Sequence, residues 1–73
     1  MTIHHAVRYK NHFLDCEPLL LASGKYAAQV VMTFDTGHTI TEREFPALAE
    51  FDTELDAIAF AKVWGRRWID GHP

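Results

Sequence analysis

The chain has one cysteine, Cys16, among 73 residues. One cysteine cannot close an internal disulfide, and it excludes a CxxC zinc site. A domain this small without covalent staples relies on packing or on a partner subunit. The lone thiol suits a reducing compartment, so a cytoplasmic protein is expected. Long apolar runs are missing too. A run such as "LLLA" at 19–22 is far too short to span a bilayer. The opening "MTIHHAVRYK" has no apolar stretch of signal-peptide length. No membrane association is expected.

Catalytic and ligand motifs are equally scarce. The sequence has no phosphate loop, no GxGxxG and no GxSxG. The histidines, His4, His5, His12, His38 and His72, show no HExxH and no His-x3-5-His spacing, so they read as surface residues rather than metal ligands. The acids between Glu42 and Asp56 lack the Asp-x-Asp-x-Asp-Gly spacing of a calcium loop. Cys16 lies between Asp15 and Glu17. Both would raise its pKa, where a nucleophile needs an electropositive setting. No enzyme activity, cofactor or metal is expected.

A basic excess is missing as well. Formal net charge is −3, whereas phosphate-backbone binding normally shows as a basic stripe. Charge is unevenly placed. Asp35, Glu42, Glu44, Glu50, Asp52, Glu54 and Asp56 face one base, Arg43, within residues 35–56. Lys62, Arg66 and Arg67 follow with only Asp70 nearby.

What is present points to one domain, residues 1–73, with the 48% hydrophobic and 23% charged balance of a globular fold. "ASG" at 22–24 and "DTGH" at 35–38 are turn signals. Between them Tyr26, Ala28, Val30, Met32 and Phe34 alternate with Ala27, Gln29, Val31 and Thr33. Period two predicts a strand with one buried face, the central strand of the sheet. Before it, "HFLDCEPLL" places Leu14 and Cys16 on one face, and Pro18 ends the strand or marks an edge. "HAVRYK" either extends that strand or forms a short one, so residues 1–8 read as flexible or as a short strand. After the second turn, "TITEREF" is the third strand, with Thr39, Thr41, Arg43 and Phe45 on one face. Ile40, Glu42 and Glu44 share the other, a conflict that suggests a bulge or a twisted end. Pro46 interrupts, and "ALAEF" either resumes the strand or turns.

The segment from about residue 53 to 70 predicts a helix. Thr53 is a suitable N-cap, with Asp56 three residues on. Gly71 sits where a C-terminal cap belongs. Ala57, Phe60, Ala61, Trp64 and Trp68 share a face, and Ala61 and Gly65 leave room for close approach to a sheet. The two tryptophans of "VWGRRWIDG" therefore read as core anchors. Arg66 and Arg67 point outward, within i,i+4 and i,i+3 reach of Asp70. The expected class is α+β, a two-layer β-β-β-α arrangement with a three-stranded antiparallel sheet packed on one C-terminal helix.

The ending "GRRWID", after an alanine-rich amphipathic helix preceded by "FDT", resembles short proteins of β-proteobacteria of the Burkholderia type. The resemblance covers about residues 9–71. That family has no assigned activity, so the resemblance implies no functional residues. The element order is also similar to that of double-stranded-RNA-binding domains. Where that family carries lysines at the start of the last helix, Thr53–Ala57 reads "TELDA".

The expected role is non-enzymatic, protein–protein interaction or self-association. A three-stranded sheet has two open edges, and apolar residues are left over. Leu55, Ala59 and Val63 fall on the otherwise polar side of the helix, and Leu19–Leu21 lie beside a turn. The expected interaction surface is Leu55, Val63, Lys62, Arg66 and Arg67. The alternative is nucleic-acid binding through Lys62, Arg66 and Arg67.

Overall fold

A computed structural model of the chain describes residues 6–71. The elements are β1 (Ala6–Tyr9), β2 (His12–Asp15), β3 (Leu19–Leu20), β4 (Tyr26–Asp35), β5 (Ile40–Phe51) and α1 (Glu54–Gly71). All pairings are antiparallel. β4 is the central strand, as its alternation predicts. It pairs with β2 and β3 on one side and with β5 on the other.

The sheet has five strands rather than three, and each addition has a local cause. Lys10 and Asn11 both adopt positive φ, 46° and 65°. A two-residue hairpin loop with both central residues in that region matches the twist of the flanking strands. Within "HAVRYK", Ala6–Tyr9 is thus a separate strand, β1, folded back on β2. Pro18 ends the extended run, and the chain re-enters the sheet as two residues, Leu19 and Leu20, beside the start of β4. In β5 the chain crosses Pro46 without leaving the sheet. Ala28 pairs with Ala49 and Val30 with Phe45, so Gln29 faces Pro46, Ala47 and Leu48. Ala47 takes φ 55°, and this bulge absorbs the proline that lacks a ladder donor. The irregularity therefore lies at Pro46–Leu48, not at Ile40.

The helix begins at its predicted cap. The Asp56 amide donates to Thr53 Oγ1 at 3.2 Å, which satisfies one of the orphan donors of the first turn. Gly71 is the last helical residue rather than the cap beyond it.

Leu14, Cys16, Ala28, Val30, Met32, Ala57, Ile58, Ala61 and Ile69 form the core. Gly65 is the point of closest approach. A Cβ there would stand 3.1 Å from Leu14 Cδ1 and 3.5 Å from Met32 Cε. The helix sits low on the sheet because Ala57, Ala61 and Gly65 project so little.

That closeness moves the aromatics outward. Trp64 and Trp68 are half-buried, not buried, and none of the nine aromatics is fully buried. The two tryptophans pack on Phe45, with ring centroids 4.9 and 5.3 Å away. Phe60 packs on Phe51 at 5.2 Å. These contacts seal the β5 flank of α1, while Gly65 and the alanines occupy the centre.

Candidate interaction surfaces

Alternation in the strands assigns their side chains to two faces. Val7, Leu14, Met32 and Arg43 are register partners on the helix side. The next row, Arg8, Phe13, Thr33 and Glu42, points away from the helix. So does the row on the other side of Val7, made of Ala6, Asp15, Val31 and Glu44. No described element covers this second face, and the smallest extent of the fold is 17 Å. Phe13 is 47% exposed and Ile40 71% exposed there. A shallow depression of about 630 Å³ runs between Arg8, Phe13, Thr33, Asp35 and Ile40. The sequence expectation does not include this face, although its signal is legible. The alternation that buries Val30 and Met32 necessarily turns Val31 and Thr33 the other way.

The helix presents its own exposed side. Leu55 is 70% and Val63 48% exposed, and Ala59 between them is exposed. Arg66 and Arg67 are exposed and Lys62 is half-buried. The expected pairing of these arginines with Asp70 does not form. Asp70 instead accepts from Lys10 Nζ at 2.6 Å and from the Tyr9 hydroxyl at 3.0 Å. The β1–β2 hairpin reaches the last turn of the helix and takes its carboxylate. The Lys10 hydrogen bond, with that of Tyr9, holds the Asp70 carboxyl below its ordinary range. The Asp70 hydrogen bond raises Lys10. Lys62, Arg66 and Arg67 are left without an ion pair among the described residues.

A cleft of about 330 Å³ opens where the β4–β5 hairpin runs past the end of the helix. His12, Met32, Phe34, Thr36, Thr41, Arg43 and Trp68 line it. The His12 ring stacks on Phe34 with centroids 4.6 Å apart. His12 Nδ1 lies 2.8 Å from the Lys10 carbonyl oxygen. A carbonyl only accepts, so Nδ1 carries the proton in this contact. The Arg43 guanidinium lies over the Trp68 ring, 5.7 Å from its centroid. Sequence spacing singles out Trp68 but neither His12 nor Arg43, because nothing local announces the hairpin that brings β2 beside the end of β4.

Cys16 is fully buried beside Leu14, as its position on the inward face predicts. Burial pushes its thiol up to about 11, and Asp15 adds to the shift against opposing fields from Lys62 and Arg66. A thiol in that state is neutral near pH 7 and packs as a small hydrophobe. Among the described residues no group of three His, Cys, Asp or Glu side chains is placed to hold a metal ion. No helix there is long and apolar enough to cross a membrane. His4, His5 and His72 lie outside the described residues. Comparison with protein-family models, with curated proteins and with solved structures finds no match to this chain.

Proposed function

We propose that the chain is a small non-enzymatic interaction domain that acts by self-association through the helix-free face of its sheet. The observation that carries this reading is the asymmetry of the sheet. One face is packed against α1, and the other leaves Phe13 and Ile40 exposed and Val31 and Thr33 half-buried. A face that mixes exposed apolar side chains with charged ones and has no described element over it has the character of an association surface. The helix side offers less: Leu55, Ala59 and Val63 follow one another a turn apart as a stripe one side chain wide. Sedimentation equilibrium at micromolar concentrations tests the reading. A reversible oligomer is expected, shifted toward monomer by Phe13→Lys. A clean monomer throughout rejects it.

A second reading rests on one specific observation. Because Asp70 is taken by Lys10 and Tyr9, Lys62, Arg66 and Arg67 make no ion pair among the described residues. Three such cations fit a nucleic-acid backbone. It predicts binding to duplex or single-stranded nucleic acid that weakens as salt rises. Absence of a gel shift at low salt and high protein concentration rejects it. The acidic first turn of the helix, Glu54 and Asp56, and the net charge of −3 favour the first reading.

A further inference from the structure

The open face is electrically polar from edge to edge. On the row Arg8, Phe13, Thr33, Glu42 the cation stands on the outer strand β1 and the anion on the opposite outer strand β5. The next row repeats the acid at Glu44 and ends at Ala6. Between the edges lie Phe13, Val31 and Thr33, together with Asp15. Arg8, Glu42 and Glu44 are exposed and make no ion pair among the described residues.

We propose that two copies of this chain pack open face to open face about a two-fold axis parallel to the strands, so that Arg8 of each copy meets Glu42 of the other. The proposal rests on the self-association reading above and adds its geometry. Two sheets that meet through equivalent faces share an axis in the plane between them. If that axis runs along the strands, left and right exchange, and β1 of one copy lies over β5 of the other. Both Arg8–Glu42 pairs then form at once. Glu44 lies over Ala6, Phe13 over Thr33, and Asp15 over Val31, so no two acids meet. If the axis runs across the strands, β1 lies over β1 and β5 over β5. Arg8 then approaches its own copy, and Glu42 meets Glu42 or Glu44. Like charges in juxtaposition across an interface are strongly unfavourable. The charge pattern therefore selects one axis.

The dimensions suit a second copy. With strands about 4.8 Å apart and about 3.3 Å per residue, the 32 strand residues give a face on the order of 500 Å² in projection. Each partner in a standard interface buries roughly 800 Å². Twisted sheets stacked face to face lie about 30° from alignment and about 10 Å apart, within reach of an arginine and a glutamate. The resulting dimer has four layers, with a helix on each outer side.

The experiment is a charge exchange followed by sedimentation equilibrium, with a thermal melt of each variant to verify folding. Arg8→Glu alone and Glu42→Arg alone each create two like-charge contacts. Each is expected to weaken the dimer by about tenfold or more. The double variant R8E/E42R restores both attractive pairs and is expected to dimerise within a few-fold of the unaltered chain. An equimolar mixture of the two single variants is expected to form a heterodimer, since both of its edge contacts then join a carboxylate to a guanidinium. Single variants that dimerise as the unaltered chain does overturn the axis but leave self-association standing. So do weakened single variants that neither the double exchange nor the mixture rescues. A monomeric unaltered chain overturns both. Should either exchange impair folding, Arg8→Cys and Glu42→Cys chains are mixed and oxidised. Preferential cross-linking between the two variants, rather than within each, is the expected result. Cross-linking of each variant only to itself overturns the axis.

Discussion

The two faces of the sheet are made from alternate residues of the same strands, yet they differ in every physical respect. On one side Leu14, Val30 and Met32 are buried beneath Ala57, Ala61 and Gly65. On the other side Phe13, Thr33 and Glu42 meet no described element. The first face is built for closeness, with small residues on the helix and medium ones on the strands. The second carries charged groups, Arg8, Asp15, Glu42 and Glu44, that the described residues leave open. The difference teaches that period two lets a short chain carry a packed face and an open one on the same set of strands. It also explains the aromatic placement. A helix seated on alanine and glycine has no central space for tryptophan, so Trp64 and Trp68 lie at its flank against Phe45.

The sharpest way to break the comparison is to damage the covered face. Leu14→Ala removes a fully buried side chain and should cost about 2–5 kcal/mol, enough to unfold much of a domain this small. Chemical denaturation measures it. Gly65→Val tests closeness rather than volume. Added carbons would collide with Leu14 and Met32, and the expected loss is about 1–3 kcal/mol. A stability equal to the parent's would show that the helix can ride outward freely. Trp64→Ala refines the boundary between core and flank. Because the side chain is half-buried, its loss should fall below the roughly 3–5 kcal/mol typical of a buried aromatic. Phe13→Ser sits at the other end of the scale. At concentrations where only monomer is present, its stability should lie within about 0.5 kcal/mol of the parent's, while dimer formation is lost at higher concentration.

The clasp between the hairpin and the helix end adds a pH signature. Asp70 has a lowered pKa in the folded chain, so its contribution is present above the unfolded pKa and lost as pH falls through the folded one. Lys10 has a raised pKa, so its contribution is present below its unfolded pKa and lost as pH rises through the folded one. The contact is therefore whole between those limits and weakens at both ends. Side-chain carboxyl NMR should find Asp70 titrating below the ordinary aspartate value, and Lys10→Met should raise it toward that value, with the Tyr9 hydrogen bond keeping part of the shift.

Much of the fold is legible in the sequence because local chemistry and tertiary structure agree. The alternation of Tyr26–Phe34, the Thr53 cap and the Ala61–Gly65 notch each follow from spacing alone. What escapes depends on backbone conformations that residue type does not announce. Lys10 and Ala47 occupy positive φ, with Asn11 beside Lys10 the one positive-φ residue besides glycine whose type signals a turn, and one asparagine alone does not separate β1 from β2 or carry β5 past Pro46. Helical spacing assigns Asp70 to Arg66 and Arg67, its neighbours on the wheel. A long-range partner takes it instead, and no helical wheel contains Lys10. Leu55 and Val63 draw the expected association surface to the helix, because their apolar character breaks a polar face. The open sheet face escapes notice because three strands suggest edges before they suggest a second side.

The central claim is that the face opposite the helix joins two copies with β1 over β5. An isotope-filtered NMR experiment on a mixture of labelled and unlabelled chains observes contacts between copies alone. The account predicts intermolecular cross-peaks from the Phe13 ring to the Thr33 methyl and from the Arg8 side chain to Glu42. Cross-peaks from Leu55 and Val63 instead, or none at concentrations well above micromolar, would contradict it.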